Sequence, residues 1–190
     1  MSRSGMADNI ARVRGLTYAG TAEYTLGTAS YWDDNQIEQV LDRHRQDLVR
    51  HKLMREPNYI GGGSVIYTRL RSAYGFLETA ASGTAVFVIE DSVGDDRGTA
   101  TFTADYQLGI FDFAADTGGT ALYLTARSYD IYGAAAELLE QWASREARCF
   151  DFSTDGQTFN VTQKVQGLRD QARLLRKRAR VQKRNLRTDS

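Results

Sequence analysis

Apolar side chains recur at helical spacing in three stretches of the chain, and between the first two they fall in short, glycine-punctuated runs. The first stretch places Ile37, Leu41, His44, Leu48 and His51 at steps of four and three. Asp33 or Asp34 can cap it, and its first turn is acidic, as the helix dipole prefers. Residues 31–56 are therefore expected to hold an amphipathic helix of about five turns, ending before Pro57, where proline removes a donor and disfavours helical backbone in the residue before it. The second stretch opens at Ser128 or Asp130, either of which can cap. Ile131, Ala135, Leu138 and Trp142 form its stripe, Glu137, Glu140 and Gln141 lie mostly off it, and the small residues from Gly133 to Ala136 leave room for another backbone. The third stretch runs from about Asn160, with Val161, Val165, Leu168, Ala172, Leu175 and Ala179 on a narrow apolar stripe. A helix of about 22 residues there would be roughly 33 Å long, more than a small body needs to cover itself, so its distal part is expected to project and bind a partner.

From Asn58 to Ala126 the runs SVIYTRL, AYGFLET, TAVFVIED, GTATFTA, LGIFDFA and TALYLTA suggest short strands. Gly61 to Gly63, Gly83, Gly94, Gly98, Gly118 and Gly119 can supply the turn positions between them. Residues 1–30 are rich in Gly, Ala, Ser and Thr and are expected to form an extended arm. The fold expected from these patterns is α+β: a small antiparallel helical bundle of three main helices, with a β-rich domain inserted between the first and the second. Its parts are an arm over 1–30, a first helix within 31–56, a β-domain over 57–127, two closing helices over 128–181 and a basic tail over 182–190. The expected core residues are Ile37, Leu41, Leu48, Ile131, Leu138, Trp142, Val165, Leu168 and Leu175.

Composition narrows the class of protein. With 190 residues and 42% apolar content, the chain can bury roughly 70% of the surface its unfolded form exposes, so folding requires neither disulfide nor metal. Cys149 is the single cysteine and cannot form an internal disulfide, and the first residues have no apolar run of signal-peptide length, so a reducing cytoplasm is the expected compartment. No run approaches the length of a membrane span. Net charge is zero, but residues 164–190 carry +8 and residues 1–163 carry −8. An acidic body with a basic end points to a charged partner.

Candidate chemistry is sparse. Asp151, Ser153, Asp155 and Gly156 match the start of an EF-hand loop, yet its twelfth position is Thr162, which cannot supply two carboxylate oxygens, so a helix-to-helix turn is the expected structure. His44 and His51 are seven residues apart, a spacing that does not bring both to one metal. Cys149 beside Phe150 has the character of a small apolar residue, Gly61-Gly62-Gly63-Ser64 lacks the lysine of a phosphate loop, and Asp95-Asp96 suits a solvated turn. Neither a catalytic residue, a cofactor site nor a metal site is assigned, and an enzyme is not expected. The basic residues Arg173, Arg176, Lys177, Arg178, Arg180, Lys183, Arg184 and Arg187 are the candidate contacts to an acidic protein surface or to DNA phosphates. The absence of aromatics among them disfavours single-strand readout.

The segment SYDIYGAAAELLEQWASREARCFDFSTDGQTFNVTQKVQGLRDQA resembles the head-tail connector, or adaptor, proteins of tailed bacteriophages. In that family an Ala-rich helix with a YD-type start and a Leu-Leu/Trp ridge leads through an FDFSTDGQ-type link into a long closing helix. YTLGTASYWDDNQIEQVLDRHRQDL, with its Leu41-Asp42 pair, is similar to the family's first helix. Together these segments span about 70 residues, and the β-rich stretch is a larger insertion than the minimal helical members have. The resemblance implies a structural virion protein at the head-tail junction, assembled in the host cytoplasm. It implies a cyclic homo-oligomer, usually a dodecamer, bound to the portal above and a tail or stopper protein below, near the packaged DNA, with no cofactor and no membrane. A DNA-binding protein that lays its basic helix on phosphates is the alternative, and a hydrolase built on β-domain carboxylates a remote third.

Overall fold

The computed structural model describes residues 2–21, 23–26, 29–79, 87–148, 152–154, 157–159 and 161–179, with backbone alone for 24–26, 29–30, 61, 152–154, 157–159 and 161. The chain begins with α1 (Ala7–Thr17), a small hairpin of β1 (Tyr24–Leu26) and β2 (Ala29–Tyr31), and α2 (Asp34–Arg43). Seven strands follow: β3 (Arg45–Lys52), β4 (Met54–Ile60), β5 (Ser64–Arg71), β6 (Phe87–Glu90), β7 (Phe102–Asp105), β8 (Ile110–Phe113) and β9 (Tyr123–Tyr129). Then come α3 (Ile131–Glu146), a hairpin of β10 (Phe152–Thr154) and β11 (Gln157–Phe159), and α4 (Val161–Arg176).

The three-helix bundle expected from periodicity is overturned. Among the described residues the molecule is α+β with four α-helices and, beside the two small hairpins, two larger antiparallel sheets, ordered β3-β9-β6 and β4-β5-β8-β7. Two differences account for this. Residues 1–30 are not simply an extended arm, because Met6, just before α1, and Ile10 and Val13 on it are buried in the cluster that also holds Ile37, Leu41, Ala135 and Leu139. Steps of four and three from Met6 to Val13 carry this signal, which the small residues around them obscured. The first expected helix is also cut short. The Asp33 side chain accepts from the Gln36 amide, and the Gln36 side chain accepts from the Asp33 amide, so a capping box starts α2 as its sequence suggests. The helix ends at Arg43, and Arg45–Lys52 pairs with β9 instead. Leu48 is buried, but from a strand and in the other core. Pairing with β9 outweighs a local period that fits a helix equally well.

Pro57 therefore ends no helix. It sits in β4, an outer strand, where the register to β5 shifts between Glu56 and Asn58, a position that tolerates a residue without an amide donor. Among the six expected strands, AYGFLET forms none. Phe76 is left-handed (φ 50°), and a Cβ on Gly75 would come within 2.3 Å of the Gln107 carbonyl oxygen, so the segment packs closely on the turn between β7 and β8 and bonds to that turn and to β9 instead of forming a strand. Positive φ is used at Gly62, Gly63, Gly94, Gly98, Gly118 and Gly119, while Gly83 lies outside the described residues.

Two apolar clusters divide the molecule. The helical cluster centres on α3, whose Ala134, Ala135, Ala136, Leu138 and Leu139 are fully buried. The β cluster is aromatic: Phe111 is fully buried, with Phe102 and Phe87 at centroid distances of 5.8 and 5.9 Å. Single residues join the two layers, His44 between α2 and β3 and Asp130 between β9 and α3. The Asp130 amide donates to the His44 carbonyl at 3.0 Å, and the Asp130 carboxylate caps α3 at the Gly133 amide. A Cβ on Gly133 would lie 2.7 Å from an Asp130 oxygen and 2.8 Å from His44 Nδ1, so the small residue there permits the two junctions to meet. No helix is long and apolar enough to cross a membrane, among the described residues.

Candidate functional site

The basic closing helix is the feature the sequence marks for function, and α4 packs antiparallel along α3. Ala172 and Leu175 are buried and Leu168 partly so, in the cluster that contains Leu138, Leu139 and Trp142, and Val165 is buried as well. Ile131, also buried there, begins α3. Near the start of α4, Lys164 Nζ donates to Glu146 Oε1 at 2.8 Å, the same oxygen that accepts from Trp142 Nε1 at 2.9 Å. Near its end, Arg176 grips Glu140 with two hydrogen bonds of 2.7 and 2.6 Å. The fork geometry of that pair fixes the rotation of α4 as well as its position.

Three carboxylates on α3 thus tie it to its neighbours. Glu137 accepts from Arg43 at 2.8 Å and contacts His44 Nε2 at 2.8 Å, which holds the end of α2. Burial alone would raise the Glu137 and Glu146 carboxyls, but hydrogen bonds from Arg43 and His44, and from Lys164 and Trp142, outweigh it and hold both below the usual range. For Glu140 the Arg176 hydrogen bond is the larger effect and lowers it further than burial raises it. A depressed carboxyl contributes stability above its unfolded value, near 4.5, that is lost as pH falls through the folded value. Acid titration followed by tryptophan fluorescence should accordingly show the helical layer loosening below about pH 4.5, and Glu140→Gln should make that loss shallower. The pairs are partly exposed, so each effect is modest.

The candidate contact residues separate into three groups. Arg173 is exposed and pairs with Asp170 on its own helix at 3.0 Å, while Arg176 is engaged with Glu140. Lys177 and Arg178 are exposed just past the end of α4 and form no ion pair among the described residues. Arg180, Lys183, Arg184 and Arg187 lie outside the described residues, as do Asp151, Asp155, Gly156 and Cys149. The described part of α4 is 16 residues long, shorter than expected. Of the two histidines, His44 belongs to the Glu137 cluster and His51 stacks edge-on against Tyr74 at 4.9 Å. No group of three or more His, Cys, Asp or Glu side chains is placed to hold a metal among the described residues.

The chain matches no family model, no curated protein and no solved structure. The geometry of the site stands as the basis for a functional reading. Sequence reasoning missed the receiving carboxylates. Glu140 and Arg176 are 36 residues apart, and no local spacing marks them as partners.

One further polar cluster is buried at the seam between the layers. Glu78, 1% exposed, accepts from the Tyr129 hydroxyl at 2.8 Å and lies 3.5 Å from Arg127 and 3.8 Å from Arg3. Arg3 also pairs with Glu38 at 2.6 Å and with Asp42. The group binds the N-terminal segment to α2 and to the end of β9, a structural task rather than a chemical one.

Proposed function

We propose that this chain is a structural virion protein, a head-tail connector of a tailed bacteriophage whose copies form a ring, a dodecamer by analogy, between the portal and a tail or stopper protein. The observation that carries the reading is that the resembling segment folds as one unit. Its Ala-rich helix is α3, its FDFSTDGQTF link contains the β10–β11 hairpin, and its closing helix α4 returns along α3. The basic end of that unit begins at Lys177 and Arg178, which are exposed where α4 stops. In this reading the end engages an acidic surface of the portal, assembly takes place in the host cytoplasm, and the protein performs no chemistry. Arg176 is assigned to holding α4 and not to the partner.

Co-purification with the portal of the same phage tests this. Deleting 177–190, or reversing charge with Lys177→Glu and Arg178→Glu, should reduce portal capture at least tenfold while leaving the melting temperature close to that of the full chain. Undiminished capture would remove the basic end from the interface. The same exposed cations favour one second reading, phosphate contact with duplex DNA. It predicts affinity that falls steeply with salt, in proportion to the number of phosphates neutralised. A gel-shift series over salt concentration distinguishes the two.

A further inference from the structure

The β4–β5 hairpin extends beyond the sheet that supports it. β5 pairs with β8 only over Arg69–Arg71, and the last ties at its base are the Tyr67 amide to Asp116 Oδ1 at 2.8 Å and the Thr117 amide to the Tyr67 carbonyl at 3.1 Å. Beyond Tyr67, Asn58–Ile60 and Ser64–Ile66 pair only with each other among the described residues. A two-stranded ribbon is marginal in water without further cover. This one presents Tyr59 at 76% and Ile60 at 44% exposure, with Val65 and Ile66 half-buried.

Outer strands are ordinarily protected by charge, proline or a bulge. β3 carries Arg45, Asp47, Arg50 and Lys52, and the lower part of β4 has Pro57 and its register shift. From Pro57 to Thr68 there is no charged side chain in twelve residues, although a quarter of the whole chain is charged. The other large exposed apolar residues, such as Tyr18, Val93 and Leu174, are scattered singly, which is ordinary for a surface. The ribbon tip is where they concentrate.

A complementary surface lies on the same molecule. A cavity of about 300 Å³ is lined by Phe113, Ala114, Ala115 and Leu122, with Arg97 and Asp116 among its polar residues. Both charges are already engaged: Arg97 pairs with Asp91 at 3.2 Å, and Asp116 accepts from the Tyr67 and Gly118 amides. Its lining holds one charge of each sign and the tip carries none, so the tip brings no charge of its own into the cavity. The tip cannot fill its own cavity. The ties at Tyr67 hold the ribbon's base at the rim, and Ser64 lies three residues, roughly 10 Å, farther along the strand.

We infer that the ribbon tip, through Tyr59 and Ile60, seats in the Phe113–Leu122 cavity of a second copy of this chain. Knob and hole are different surfaces, so the contact is heterologous and passes from copy to copy until a rotation closes it. The inference deepens the ring reading by giving its subunits a lateral contact made by the β-rich insertion, and it relies on that reading only for the number of copies.

Cross-linking without portal tests the contact on the full chain. Two populations are mixed and oxidised, both carrying Cys149→Ser, one with Ser64→Cys beside the seated residues and a size tag, the other with Ala115→Cys. Both substituted positions are exposed, so folding is preserved. The expected product is a mixed disulfide dimer at least tenfold more abundant than one formed when Leu174→Cys on α4 replaces Ala115→Cys. Adding Ile60→Asp should lower its yield tenfold. A yield no higher than the Leu174→Cys control, or one indifferent to Ile60→Asp, overturns the inference. Portal binding does not enter this readout, so failure of the connector reading and failure of the lateral contact are separable.

Discussion

Phe111→Ala should destabilise the molecule by about 3–5 kcal/mol, the range for truncating a buried phenylalanine whose surroundings collapse only partly. Phe111 has no exposed surface and lies between Phe87, Phe102 and the sheet behind them, an aromatic group with little freedom to close the void. For a chain of this size the loss corresponds to a fall of about 6–20 °C in melting temperature. The informative measurement is tryptophan fluorescence. Trp32 and Trp142 both lie in the helical cluster, so their signal does not report the β core directly. His44 and Asp130 join the layers as single residues, with a hydrogen bond between them, so the tryptophan midpoint should move with the far-ultraviolet circular dichroism midpoint. A tryptophan midpoint that stays in place while the β signal moves would show two independent units.

Glu78→Ala should cost about 2–4 kcal/mol, somewhat less than the roughly 3–5 kcal/mol for breaking a fully buried ion pair, because Arg3 and Arg127 remain nearly a quarter exposed and water offsets part of their loss. The remainder comes from the Tyr129 hydroxyl, which loses its acceptor at a site 1% exposed. Tyr129→Phe should cost about 1 kcal/mol, since it removes the hydrogen bond to Glu78 and a long one accepted from Arg3 at 3.4 Å, and leaves the arginines with their carboxylate. A double-mutant cycle between the two positions, read by urea denaturation, should show positive coupling. Its absence would remove the Tyr129 hydrogen bond from the cost and leave it to the arginine pairs and side-chain volume. The cluster has a further consequence at high pH. Burial, then the Glu78 hydrogen bond and charge, raise the Tyr129 phenol well above its usual value near 10. A raised group contributes stability that is complete below its unfolded value and lost as pH rises beyond it, so stability should decline above about pH 10 and decline less in Tyr129→Phe.

The helical parts of the site were legible before any coordinates. Asp130 caps α3, the Ala-rich face is buried, and Val165, Ala172 and Leu175 turn inward on α4. These features arise from neighbours within two turns of one helix, so spacing reports them. The end of α2 was not legible. Leu48 and His51 continue the helical period, and only β9, more than seventy residues later, draws Arg45–Lys52 into a sheet. α1 was obscured for the opposite reason, its inward apolar residues Ile10 and Val13 being set among small and polar ones.

Charge shows the same division. That the chain has an acidic body and a basic end is a property of composition and position, and it needs no fold. Which cations remain available is decided by tertiary structure. Arg176 is committed to Glu140 and Lys164 to Glu146, while Lys177 and Arg178 are exposed where α4 ends and form no ion pair among the described residues. The sequence by itself determined the capped starts of α2 and α3, the glycine turns and the two opposed charges. Tertiary structure alone decided where α2 becomes a strand, which carboxylates receive α4, and that Glu78 is sealed between two arginines and a tyrosine. The physical reason is range: periodicity and capping act over a few residues, whereas the pairs that hold this molecule join residues tens of positions apart, which only the folded chain brings together.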